Sequence, residues 1–209
     1  MEAEHEADLI RQAQRGSVSA FNELVLRYEA LLFNVALRIL GDTAAAAEAA
    51  QEAFLSAFTH IKDFHGGSFK HWLLRIVTNA CYNALRYAQR RPALSLDQPL
   101  GEASAETLGD VTPAPGETPE EVALRRDLGR LIAQAVLALP VEQRVVLVLC
   151  DVHGFSYEDV AEITRTALGT VKSRLSRARA KLRDKLLAEA ELLESGMRLE
   201  HERGDANSV

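Results

Sequence analysis

A chain of 209 residues has room for two small domains with modest cores, and nothing in it suggests a single large enzyme fold. Ala and Leu dominate the apolar residues, no alternating β-branched run is long enough for a strand, and no stretch approaches the ~20 apolar residues of a membrane span, so the expectation is an all-α, cytoplasmic protein without membrane insertion. The net charge of −6 argues against a nucleic-acid partner until it is located: Lys70–Arg91 holds five basic residues and no acid, and Arg165–Lys185 holds eight against one.

In chain order, a first domain is expected over residues 7–91. Phe21, Leu24, Val25, Tyr28, Leu31, Leu32, Val35 and Ile39 recur at helical spacing and form the core face of a long helix, ended by Gly41-Asp42-Thr43. A third helix runs through Glu48, Gln51, Glu52, Phe54 and Phe58 to about Ile61. The turn His65-Gly66-Gly67-Ser68 then places Ser68 as N-cap of a fourth helix, Phe69 to Arg90. Leu73, Val77, Ala80 and Ala84 mark its inward side. On the other side Arg75, Asn79, Asn83, Arg86 and Arg90 follow at spacings of four, four, three and four, with Trp72 at the edge. Guanidinium groups hold phosphates, asparagine amides both donate to and accept from a base, and an exposed indole stacks on an unpaired one. That combination suits single-stranded DNA; burial in the core is the competing reading of Trp72. Cys81 lies in this helix and Cys150 far from it, each in an apolar pattern, so both are expected as buried thiols in a reducing compartment.

Residues 92–117 read as a flexible, acidic linker: between Pro92 and Leu124 there is no lysine or arginine, but five of the six prolines and seven carboxylates. Thr118-Pro119-Glu120-Glu121 opens a second domain, 118–187, with an N-cap, a proline at the first helical position and a capping-box glutamate. Helices follow to about Leu139 and from Val141 to about Val152. Ser156 and Asp159 form another capping box, Val160 and Ile163 face inward, and Thr166 is placed as N-cap of the last helix. There Val171, Leu175, Ala178 and Leu182 make an apolar stripe. The opposite face carries Thr170, Ser173, Ser176 and Arg177, flanked by Lys172, Arg174, Arg179, Lys181 and Arg183, with no carboxylate before Asp184. Two helices joined by so short a turn describe a helix-turn-helix whose second helix enters the major groove. Residues 188–209 form a tail that starts helical and then frays.

Catalytic signatures are missing from the sequence. His60, His65 and His71 have neither metal-site spacing nor matching cysteines, Gly66-Gly67 lacks the lysine of a phosphate loop, and Glu48 and Glu52 share a face that reads as solvated. The expectation is a protein that is not an enzyme and uses no cofactor or metal.

Five segments, DLIRQAQRGSVSAFNELVLRYEALLFNVALRIL, AAQEAFLSAF, GGSFKHWLLRIVTNACYNALR, LPVEQRVVLVLCDVHGFSYEDVAEI and GTVKSRLSRARAKL, occur in the order in which the small extracytoplasmic-function sigma factors of bacterial RNA polymerase carry similar ones. The chain resembles that group from about Asp8 to Arg183. The resemblance implies a subunit that binds core RNA polymerase at the β′ clamp helices and β flap, recognises minus-ten and minus-thirty-five promoter elements and opens the DNA, in a stress or envelope response controlled by an anti-sigma factor. Carried over by position, Glu48, Gln51, Glu52 and Phe54 fall on the helix that grips polymerase. Asn79 and Asn83 fall where the family captures flipped minus-ten bases, with Lys70, Trp72, Arg75 and Arg86 near the strand. Arg165, Thr170, Lys172, Ser173, Ser176 and Arg177 fall at the minus-thirty-five major groove. The acidic linker would pass through polymerase channels built for nucleic acid until RNA displaces it.

Three positions depart from the family pattern. Ala49 stands where an acidic residue is common, which predicts a retuned clamp contact. Arg165 and Ala167 stand in a turn that usually carries glycine and proline; since a left-handed Arg165 would cost on the order of 1 kcal/mol, the turn is expected to take another shape. A conventional dimeric helix-turn-helix regulator is the alternative, but it needs neither the fourth-helix stripe nor Gln51-Glu52-Ala53-Phe54. A nucleic-acid enzyme would need a carboxylate or metal constellation.

Overall fold

Capping chemistry sets the ends of the helices, which a computed structural model describes over residues 2–90 and 118–206, with side chains from Glu4 to Gln89 and from Thr118 to Glu189. The linker expected at 92–117 lies outside the described residues. After α1 (Glu2–Gln14), α2 (Val18–Leu40) begins at Ser17, whose hydroxyl accepts from the Ala20 N–H. It ends at Gly41, which takes φ 75° and donates its N–H to the Leu37 carbonyl at 2.8 Å. Asp42 accepts from the Ala45 N–H at 2.7 Å and starts α3 (Thr43–Thr59), so adjacent residues stop one helix and start the next. Beyond a 3₁₀ turn (Ile61–Asp63), the Ser68 hydroxyl accepts from the His71 N–H and starts α4 (Phe69–Arg90), as expected.

The buried face of α3 is built from Ala46, Ala49, Ala50, Ala53 and Ala57, small enough to bring its backbone close to α2 and α4. Those helices supply the bulk: Leu24, Leu32, Val35 and Ile39 from α2, and Phe69, Leu73, Leu74 and Val77 from α4. Each such Leu or Phe contributes about 1.5–3 kcal/mol by leaving water. Ala49 is 3% exposed. The retuned surface contact expected there is therefore corrected: an acid at this place would lie buried, where an unpaired charge is costly.

The second domain opens on the expected capping box. The Thr118 hydroxyl accepts from the Glu121 N–H at 3.3 Å and the Glu121 carboxylate accepts from the Thr118 N–H at 2.9 Å, starting α5 (Pro119–Leu137). α6 (Val141–Leu147) then widens into a π turn, Val148–Val152, closed by the His153 N–H on the Val148 carbonyl at 3.1 Å. The helix expected to run regularly to Val152 is thus an α-helix only to Leu147. Gly154, at φ 70°, stops it and leads into Phe155. α7 (Tyr157–Thr164) and α8 (Leu168–Ala206) make the helix-turn-helix, with Val160, Ile163, Val171, Leu175 and Ala178 buried between them and α6.

The domains touch along two seams. α7 lies on α4, and the C-terminal end of α2 meets α5, α6 and the π turn. At the second seam the Arg144 guanidinium donates to the Ile39 carbonyl of the first domain and to the Leu137 and Leu139 carbonyls of the second, the last at 3.1 Å. Burial pulls the Arg144 pKa down, and the three hydrogen bonds it donates hold the charge in place. Leu137 covers Gly41 so closely that a Cβ there would stand 2.5 Å from its Cδ1.

Candidate nucleic-acid interface

The α4 stripe exists as a surface. Asn79, Asn83 and Arg86 are exposed, and Arg75 is half-buried. Trp72 is half-buried: its ring packs against Phe64 and Phe69, with centroids 5.5 and 5.4 Å away, and it also lines the cleft that contains Arg75 and Asn79. This cleft, of about 560 Å³, is closed on one side by Glu162 and Arg165 of the second domain. Lys70 lies at the same seam, its ammonium 4.5 Å from the centre of the Phe155 ring. Burial first, and then the Arg165 charge, lower the Arg75 pKa, with Glu162 opposing them.

On α8, Lys172, Ser176 and Arg177 are exposed, while Thr170 and Ser173 are half-buried. The Ser173 hydroxyl donates to the Thr170 carbonyl at 3.0 Å. Arg179 is held by Asp151 through two nitrogens, at 2.9 and 2.6 Å, which raises its pKa and braces α8 against the end of the π turn. The turn before α8 differs from expectation at two residues. Arg165 is left-handed, with φ 51° and ψ 44°, and caps α7 with its N–H on the Ala161 and Glu162 carbonyls. Ala167, rather than Thr166, accepts the first N–H bonds of α8, and the Thr166 hydroxyl instead pairs with that of Thr164 at 2.9 Å.

Glu48, Gln51 and Glu52 are exposed on α3, and Phe54 is half-buried beside them. Gln51 and Phe54 line an apolar groove between α2 and α3, of about 710 Å³, that also holds Val25, Phe33, Leu55 and Phe58. The groove went unread in the sequence, although Leu55 and Phe58 gave a sign of it: they lie outside the alanine stripe that serves the core. An apolar edge on α5, Leu124, Leu128 and Ile132, was missed likewise, its fourfold spacing being the signal. Among the described residues no group of histidine, cysteine or acidic side chains could hold a metal ion, and no helix is long and apolar enough to cross a membrane.

Models of known families match both domains: Sigma-70 region 2 over residues 24–91 and Sigma-70 region 4 over residues 129–182. The RNA polymerase sigma-H factor of Pseudomonas aeruginosa is 36% identical over 178 residues, covering 84% of this chain and 91% of that protein. The chain belongs to the extracytoplasmic-function sigma factors. SigW of Bacillus subtilis, an ECF RNA polymerase sigma factor, is 33% identical, with 85% of this chain and 94% of that protein aligned. Among solved structures, the sigma factor RpoE from Bartonella quintana, in complex with the anti-sigma factor NepR, superposes with a TM-score of 0.61 at 27% identity, over 81% of this chain and 98% of that one. As a sigma factor this protein is a promoter-specific transcription initiation factor, and α4 and α8 belong to its two DNA-binding regions.

Proposed function

We propose that this sigma factor docks on core RNA polymerase through α3 and reads a promoter with α4 and α8 in separate roles. Glu48, Gln51, Glu52 and Phe54, beside the α2–α3 groove, form the surface for the β′ clamp helices; the α5 edge at Leu124, Leu128 and Ile132 serves the β flap. Asn79 and Asn83 capture unstacked minus-ten bases, with Trp72 stacking beside them and Lys70, Arg75 and Arg86 holding the strand. Arg165, Thr170, Lys172, Ser173, Ser176 and Arg177 meet the minus-thirty-five major groove. The observation that carries this division is the chemistry of the faces: α4 offers amides and an indole edge to bases without stacking partners, whereas α8 offers hydroxyls and guanidinium groups on a helix of the kind that fits a groove.

Opening then needs no fuel. Unpairing costs a few kcal/mol, and capture of the exposed bases offsets it. The domain limits follow as 7–91 and 118–187, with 92–117 between them and 188–209 as tail. The protein acts in the cytoplasm, where polymerase is, as a binding subunit and not a catalyst. An anti-sigma factor restrains it in a stress or envelope response. Run-off transcription by purified core polymerase on genomic fragments, with and without the chain, tests the reading: transcripts from discrete start sites must depend on its addition. Failure to bind core and to start transcription would leave the conventional regulator.

A further inference from the structure

The α4–α7 seam lies on the face of α4 that the proposed function gives to single-stranded DNA, and the groups α7 brings to it are carboxylates. His71 is wedged between two of them, its Nδ1 3.2 Å from Glu162 Oε2 and its Nε2 3.6 Å from Asp159 Oδ1. Its ring stands edge-on to Phe155 at 5.9 Å, and Phe155 also receives the Lys70 ammonium on its face. One turn along α4, Glu162 stands near both Arg75 and Arg165 and offsets their mutual repulsion. A strand laid along Trp72, Arg75 and Asn79 would enter the cleft that Glu162 and Arg165 close.

We propose that α7 competes in cis with DNA for the α4 face: Asp159 and Glu162 hold the place of the strand's phosphates, and the domains must part at this seam before minus-ten bases can be captured. The proposal rests on the reading of α4 as the single-strand face. The seam suits a releasable contact. Asp159 and Glu162 are partly exposed where they meet His71 and face the charges of Lys70 and Arg75, so a polyanion or salt can compete with them for those cations, whereas the Arg144 seam is held by part-buried hydrogen bonds. A protein that is mostly closed binds DNA more weakly by the fraction of open molecules, which keeps free sigma factor off exposed single strands.

The test uses the full chain with spin labels at Leu26→Cys and Leu187→Cys, both exposed positions, the native thiols being buried. Interdomain distances are measured with and without a mixed-sequence single-stranded oligodeoxynucleotide, whose affinity is followed by fluorescence anisotropy. The variant is Glu162→Gln, which keeps the Ser156–Asp159 capping box. Glu158→Gln, an equal charge change at an exposed residue of α7, is the control. The closed distance should dominate in the free protein, and the oligonucleotide and Glu162→Gln should each lengthen it. Glu162→Gln should also tighten oligonucleotide binding about two- to fivefold, with no change for Glu158→Gln. No closed population, unchanged affinity, or equal tightening by both variants overturns the proposal. Permanganate footprinting of promoter complexes formed by Asn79→Ala, run in parallel, separates the two failures: lost opening alongside unchanged affinity sinks the competition alone, and normal opening sinks the α4 reading beneath it.

Discussion

Arg165 is the place where a strained backbone and a proposed DNA contact meet in one residue, and replacing it separates them. Its φ of 51° puts an L-residue in the left-handed region, which costs about 1–2 kcal/mol. Glycine removes that cost but gives the unfolded chain about 0.5–1 kcal/mol more entropy to lose on folding, so Arg165→Gly should stabilise the backbone by a net of about 0.5–1 kcal/mol. Arg165→Ala keeps the strain and loses the same charge, including its repulsion of Arg75, so the difference between the two variants isolates the backbone. Thermal unfolding should place the glycine variant roughly 1–4 °C above the alanine variant. Binding to duplex promoter DNA should weaken in both, and if the guanidinium holds one phosphate, the slope of log affinity against log salt should fall by about 0.9. Equal melting temperatures for the two variants would refute the strained cap; an unchanged salt slope would refute the phosphate contact.

Asn79→Ala should impair open-complex formation while sparing binding to core polymerase, since its exposed amide is proposed to act only on the melted strand; normal permanganate reactivity of promoter thymines would remove it from that role. Arg177→Ala should weaken binding to the cognate promoter by about 1–3 kcal/mol if the side chain reads a base, and equal losses on random DNA would assign it to phosphate. His153 is half-buried, and burial, then Arg38 and Lys70, hold its pKa below 6.5, so the unfolded chain protonates before the folded one. The stability this group contributes is complete above about pH 6.5 and declines as pH falls below that value toward the folded pKa; His153→Gln should flatten the fall in melting temperature between neutral and mildly acidic pH. A variant whose melting falls as steeply as the parent's would show that other groups set the acid limit.

The sequence by itself determined whatever depends on neighbours a few residues apart. The capping boxes at Thr118 and Ser156, the Ser68 cap, the polar stripe of α4 and the apolar stripe of α8 follow from the helical repeat and from donors left free at helix starts, so they were legible before any fold was known. So was the family, because its segments recur in order. Three local expectations failed. Arg165 takes the left-handed conformation that propensity alone argues against, the Ala167 carbonyl rather than Thr166 opens α8, and α6 takes up a π turn that no short-range pattern announces. Tertiary structure alone decided the rest. Leu137 over Gly41, Arg144 between carbonyls of both domains, and His71 between Asp159 and Glu162 join residues separated by most of a domain or more. A basic helix face looks the same in sequence whether it meets water, phosphate or another helix's carboxylates; packing puts α7 there.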